Sequence, residues 1–171
     1  MNIAAAPNVV EVTRGDFVES RHQITVAVVD TAGSIVLQAG DIERPIYARS
    51  AIKPLQALEL IEAGAADAFK LTKQEIALAC ASHNGEQRHI ETIQSWLSRI
   101  GLSVENLECG PHAPLFSAAA DALMLTGEKP SALHNNCSGK HAGFLTLARG
   151  EVPELGTYLA PMEAMWGAQS F

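Results

Sequence analysis

The stretch Ser50-Ala51-Ile52-Lys53-Pro54-Leu55-Gln56-Ala57-Leu58-Glu59-Leu60-Ile61-Glu62-Ala63-Gly64 marks where the chain changes character. After Pro54, Leu55, Leu58, Leu60 and Ile61 follow a helical spacing, and Gly64 is a stop signal. Proline is tolerated only in the first helical turn, so Ser50 is expected at or just before the helix start. Before this point the pattern is β. Val9-Val10-Glu11-Val12-Thr13 reads as a short strand, with a turn at Arg14-Gly15-Asp16. Residues 23–30, rich in β-branched side chains, read as a strong strand. Thr31-Ala32-Gly33-Ser34 turns the chain, and Ile35-Val36-Leu37-Gln38 returns as a hairpin partner.

Beyond Gly64 the pattern is helical. Thr72-Lys73-Gln74-Glu75 has the form of a capping box and opens a helix through Ala81. Glu86 to Ile100 is a second amphipathic segment carrying Ile90, Ile93, Trp96 and Leu97, closed by Gly101. Leu115–Leu125 and Gly139–Arg149 read as two more, the last stopped by Gly150. Trp96 is expected in the core. Strands first and helices after give an α/β class of mixed α+β layers.

The 171 residues suffice for one domain with a core. A 47% hydrophobic and 18% charged composition is globular rather than disordered. A net charge of −7 excludes the basic stripe that a nucleic-acid surface needs, and no Lys/Arg run suits an anionic membrane. The N-terminus has no basic n-region or long apolar stretch, so no signal peptide is read there. No segment approaches the roughly 18 apolar residues of a membrane span. Cys80, Cys109 and Cys137 are odd in number and widely spaced, which suits a reducing, cytoplasmic setting better than a disulfide framework.

Four segments concentrate reactive side chains. Ser50-Ala51-Ile52-Lys53 is an S-x-x-K tetrad: on a helix, i and i+3 share a face, so Lys53 can hold its amine near the Ser50 hydroxyl. A lysine acts as base to a serine when burial or a nearby cation disfavours its charge. Ser50 as a simple N-cap is the rival reading. Cys80-Ala81-Ser82-His83-Asn84-Gly85-Glu86 contains Ser-x-Asn, an element that accompanies S-x-x-K in some acyl-transfer enzymes. Its rival is a turn in which Ser82 or Asn84 caps the next helix. His134-Asn135-Asn136-Cys137-Ser138-Gly139-Lys140-His141 is dense in polar groups at a helix start. Cys137 and Lys140, three apart, can face one centre; cysteine is a soft zinc ligand and lysine an unusual one. An anion-binding helix terminus and a turn capped by Ser138 are the alternatives. In Cys109-Gly110-Pro111-His112-Ala113-Pro114, glycine and two prolines fix a turn, and His112 either shapes a pocket or bonds to backbone.

Taken together, Ser-Ala-Ile-Lys-Pro-Leu-Gln, Cys-Ala-Ser-His-Asn-Gly-Glu, Cys-Gly-Pro-His and Asn-Asn-Cys-Ser-Gly-Lys-His-Ala-Gly-Phe resemble the Rhizobium etli type (asparaginase II) family, the last motif being the most specific. The resemblance runs from about Val9 to about Leu159, roughly half of a family member. It implies hydrolysis of L-asparagine to L-aspartate and ammonia, in a fold similar to serine β-lactamases and penicillin-binding proteins. It implies Ser50 as nucleophile, Lys53 as its base and Ser82 as a second serine of the same network. Arg49, His83, Asn84, Asn136 and Gly139 then fall at substrate-binding positions. Cys137 and Lys140 match two ligands of a zinc site beside the catalytic centre, and homodimers are implied. The family's third zinc ligand, a cysteine, and a further active-site lysine lie in a C-terminal half without counterpart here. The chain is thus expected to be the N-terminal part of one asparaginase-like domain, with residues 162–171 an atypical tail. Two rival functions stand beside the amidohydrolase: an inactive fragment of the family, and a β-lactamase-like serine acyl hydrolase.

Overall fold

The computed structural model describes residues 9–151, so the 162–171 tail lies outside the described residues. Contacts divide the chain into two compact units, one ending at Tyr47 and the other beginning at Ala48.

The first unit holds two antiparallel hairpins. Strand β1 (Val9–Arg14) pairs with β2 (Phe17–Gln23), with Val9 opposite Gln23 and a register irregularity at Val12/Thr13. Strand β3 (Val26–Val29) pairs with β4 (Ile35–Ala39). The turn between them is built by Asp30, whose carboxylate accepts from Ala32 N at 2.9 Å and Ser34 N at 2.8 Å. These are two separate two-stranded sheets. The single strand expected over 23–30 is therefore broken: Gln23 ends β2 and Val26 opens β3. Strand β2 escapes a reading by alternation because both of its faces turn polar after Phe17 and Val18.

The second unit is helical: α1 (Lys53–Glu62), α2 (Ala65–Ala68), α3 (Lys73–Cys80), α4 (Gln87–Arg99), α5 (Ser117–Thr126) and α6 (Ser138–Glu151). The mixture of small sheets and six α-helices among the described residues is a mixed α/β composition. None of the described helices is long and apolar enough to cross a membrane.

Helix α6 is the hub. Residues 141–148 are all buried, and α1, α2, α3 and α4 pack around them. A helix surrounded by neighbours needs no polar stripe, which is why α6 lacks a clear amphipathic pattern. Ile93, Trp96 and Leu97 of α4 close the core, all essentially inaccessible, as expected for Trp96. The indole N–H of Trp96 donates to Thr146 Oγ1 at 2.9 Å, and that hydroxyl donates to Ala142 O at 2.8 Å. The one polar atom of the indole is thus satisfied inside an apolar core.

Local signals act as written. Thr72 Oγ1 accepts from Glu75 N, and Glu75 Oε2 accepts from Thr72 N at 2.7 Å, completing the capping box. Glu75 is also buried and held by two bonds from Arg99, at 2.7 and 2.8 Å, so its charge is paired rather than stranded. Several boundaries differ from expectation by one or two residues. Gly150 does not stop α6, which runs on to Glu151. The fifth helix starts at Ser117 rather than Leu115.

Helix α1 forms where expected. Lys53, Ala57 and Leu60, at i, i+4 and i+7, are its buried residues, while Leu55, Leu58 and Ile61 stay about half exposed. The consequence is chemical: the inward face carries an amine.

Candidate active site

Lys53 is 2% exposed. Burying an amine without partners is expensive, and this one has three. Its Nζ lies 2.8 Å from Ala81 O, 2.8 Å from Ser82 Oγ and 3.4 Å from Asn136 O. Three of the four sequence segments therefore meet at one nitrogen. An ammonium has three N–H donors for these acceptors; a neutral amine has two for the carbonyls and a lone pair for the Ser82 hydroxyl proton. The arrangement accommodates either state and so suits proton exchange with Ser82.

Ser50 lies in a 3-10 turn, Arg49–Ile52, that precedes α1. It is exposed. Arg49 has a φ of 50°, a conformation that non-glycine residues rarely adopt. The N-cap of α1 is Ile52 and that of the 3-10 turn is Ala48, so Ser50 caps neither. Among the described residues, the Lys53 amine bonds Ser82 rather than Ser50. The expectation that i and i+3 share a face assumes a continuous α-helix. Here the tetrad spans a 3-10 turn and the first residue of α1, which directs Lys53 inward.

The turn after α3 is held by its histidine. The Nδ1 of His83 accepts from Gly85 N at 3.1 Å, which leaves the ring proton on Nε2 to donate to Ser138 Oγ at 2.8 Å. Ser138 in turn donates to Leu133 O at 3.0 Å. Burial first, then the charges of His89 and Lys53, push the His83 pKa down to about 4. His83 is therefore a neutral, buried strut at neutral pH. Gly85 has a φ of 74°, and a Cβ there would meet Pro114 at 3.0 Å; the glycine is required by both conformation and space. Neither Ser82 nor Asn84 caps α4. Its N-cap is Glu86, whose N–H donates to His89 Nδ1 at 3.2 Å. The Arg88–Glu86 ion pair, 3.2 Å, is on the surface.

The polar loop before α6 has structural uses of its own. Asn135, buried, donates to Cys109 O at 2.7 Å and Gly110 O at 2.9 Å, and accepts from Cys137 N at 2.8 Å. Every polar capacity of its amide that matters is used. Ser138 is spent on His83 and Leu133 and does not cap α6. A Cβ on Gly139 would overlap Leu78 O and lie 2.8 Å from Leu78 C, so this glycine lets α6 touch the backbone of α3. Asn136 is half-buried, Asn84 and Arg49 exposed. Asn84 O accepts from Phe116 N at 3.1 Å. An open cavity of about 490 Å³ is lined by Ser82, His83, Asn84, Glu86, Arg88 and His89, among others. It adjoins Ser82 and is large enough for a small polar ligand.

Cys137 and Lys140 are half-buried. The Lys140 amine sits 5.5 Å from the centre of the Phe144 ring, a placement that suits an ammonium. Among the described residues no three His, Cys, Asp or Glu side chains gather to hold a metal. Cys137 and Lys140 alone do not make the four-coordinate set of a zinc site. Cys109 is an unreactive thiol, its pKa raised to about 11 mainly by burial.

Sequence reasoning did not place His112, Asn135 or Ser138 in the site. The signal for His112 was the rigid Gly-Pro-His-Ala-Pro turn. For Asn135 and Ser138 there was only the polarity of their loop, because their partners lie far away in sequence. No curated protein matches the chain. The family model of L-asparaginase II matches residues 10–166, spanning every segment that meets at Lys53. The chain belongs to the L-asparaginase II family.

Proposed function

We propose that this chain is an L-asparagine amidohydrolase acting through a serine ester. The observation that carries this reading is the buried Lys53 amine, 2.8 Å from Ser82 Oγ and adjacent in sequence to the exposed Ser50 turn. Ser50 attacks the side-chain carboxamide carbon of asparagine. Its proton passes by way of Ser82 to the neutral amine of Lys53, and from there to the departing nitrogen, so that ammonia leaves. Water then cleaves the β-aspartyl ester by the reverse relay and releases aspartate. Backbone N–H groups near Ser50 would supply the oxyanion with donors, each worth about 3–4 kcal/mol when well aimed. Arg49, Asn84 and Asn136 are the side chains left to meet the substrate's α-carboxylate and α-amine. His83 and Gly139 contribute through backbone shape, since the ring of one and the missing Cβ of the other serve packing. Homodimer formation belongs to the same reading.

Zinc at Cys137 and Lys140 requires further donors from outside the described residues. Bound there, it would orient substrate; the proton relay above is written without it.

The test is chemical trapping. The native chain is mixed with asparagine, quenched in acid within the first turnovers and weighed intact. A gain of one aspartyl residue, mapped to Ser50 and absent in Ser50→Ala, is expected. An adduct on another residue removes Ser50 from the nucleophile role. Turnover of a β-lactam without turnover of asparagine would replace the amidohydrolase by a β-lactamase-like acyl hydrolase.

A further inference from the structure

His112 touches none of the groups that meet at Lys53 Nζ except through Asn136, yet it fixes that residue. Its Nδ1 lies 2.6 Å from Ala113 O. A carbonyl only accepts, so Nδ1 carries the ring proton. Nε2 is then an acceptor, and Asn136 N donates to it at 3.1 Å. Asn136 Oδ1 lies 3.3 Å from the same nitrogen, and because two acceptors do not bond each other, the amide is assigned the turned orientation with its NH₂ group toward the ring. The other backbone group of Asn136 is equally engaged: its carbonyl receives His83 N at 3.2 Å and Lys53 Nζ at 3.4 Å.

The ring has a firm base. The Cys109–Pro114 segment is tied to the loop before α6 by the two bonds from Asn135, and Gly110 turns it with a φ of 69°. An imidazole presents a donor and an acceptor on opposite sides of a rigid plane. That is what this position needs: one nitrogen anchored on its own loop and the other on the neighbouring one.

We propose that His112 is a positioning residue for Lys53. By holding the Asn136 peptide, it fixes the carbonyl that, together with Ala81 O, aims the Lys53 amine at Ser82 Oγ. This rests on the reading of Lys53 and Ser82 as the proton-transfer pair. Without the ring, the Asn136 N–H loses its partner, the loop relaxes, and Lys53 keeps two partners of three.

The amine can be observed directly by NMR of the ¹⁵N-lysine-labelled chain, with the Lys53 resonance assigned by its loss in Lys53→Met. In the native chain the Lys53 side-chain protons exchange slowly with water. In His112→Ala, exchange is expected to rise about tenfold, the effect of one lost hydrogen bond, and the Nζ shift to move. His112→Gln, which places an acceptor where Nε2 stood, is expected to restore most of both, with the backbone amide spectrum native throughout. An unchanged Lys53 resonance in a folded His112→Ala chain overturns the proposal, as does equal disturbance by Ala and Gln. If His112→Ala does not fold, Gln is compared with the shorter Asn: retention in Gln and loss in Asn supports the proposal, and the same signal in both overturns it. None of these readouts needs turnover. Failure of the amidohydrolase reading shows separately, as absence of ammonia release while the Lys53 pattern holds. Where turnover is measurable, His112→Ala lowers kcat.

Discussion

Gly139 and Gly143 lie one turn apart on α6 and offer a paired experiment. Replacing a mid-helix glycine by alanine favours the helix by about 1 kcal/mol. Gly143, inside α6, takes that gain in full and Gly139, the second residue of α6, only in part, so contact has to account for most of any difference between them. At Gly143 the new methyl would meet Ala79 Cβ at 3.4 Å, Leu60 Cδ2 at 3.7 Å and Trp96 at 3.9 Å. These are close but ordinary side-chain contacts, so Gly143→Ala should be neutral or slightly stabilising. At Gly139 the methyl would overlap Leu78 O and lie 2.8 Å from Leu78 C and 3.0 Å from Leu78 Cβ. Two of those atoms are backbone and cannot rotate away, so α3 must move. Overpacking of this kind costs about 1–3 kcal/mol, and the upper end applies where backbone must shift. Net of the propensity gain, Gly139→Ala is expected to be less stable than Gly143→Ala by about 2–3 kcal/mol. Urea unfolding followed by circular dichroism measures this as a midpoint lower by about 1–2 M. Because α3 ends at Cys80, its displacement also moves Ala81 O and Ser82 away from Lys53. Equal stability of the two variants, with substrate binding lost only in Gly139→Ala, would refute the packing account and return Gly139 to a direct role in binding.

Three other outcomes follow from the same geometry. Burial, with the charges of Lys140 and Lys53 second, lowers the His141 pKa to about 4, as burial does for His83. Between pH 6.5 and 4 the unfolded chain binds more protons at both sites, so stability should fall as pH falls, by about 2–4 kcal/mol between pH 7 and pH 5; a flat urea midpoint over that range would contradict the assignment. Thr146→Val keeps the shape but leaves the Trp96 indole N–H without its acceptor, and should cost about 1–3 kcal/mol in the same assay; no cost means the bond contributes nothing. Zinc, titrated against a chromophoric chelator, should bind weakly if Cys137 and Lys140 are its only ligands; tight binding abolished by Cys137→Ser would mean that residues outside 9–151 supply the missing donors.

The legible parts of the fold were those whose cause is local. The Thr72/Glu75 capping box, the Asp30 turn, the α4 stripe and the core position of Trp96 all rest on interactions a few residues long or on a clean helical period. Helix α1 was legible as a helix but not in orientation. Its spacing left the inward face open, and of the spaced apolar residues only Leu60 is buried, beside Lys53 and Ala57. Helix α6 carries no period because it is surrounded, and Gly150, read as a stop, is simply included in it. In the site, residue types were visible and partners were not. Lys53 and Ser82 are separated by 29 residues, and His83 and Ser138 by 55. No spacing rule connects them. The tetrad suggested Lys53 facing Ser50, and only the 3-10 turn explains why the amine points to Ser82 instead. The glycines at 85 and 139 stood out as motif residues, and the contacts their missing side chains permit account for both.

The central claim is that the segments gathered at Lys53 form a working amide-hydrolysing site. Ammonia release from L-asparagine by the purified 171-residue chain tests it most directly, with intact mass verified and zinc present and absent. The account predicts turnover that falls at least about a thousandfold in Ser50→Ala and strongly in Ser82→Ala. No ammonia from the intact, folded chain, or turnover indifferent to Ser50, would contradict it.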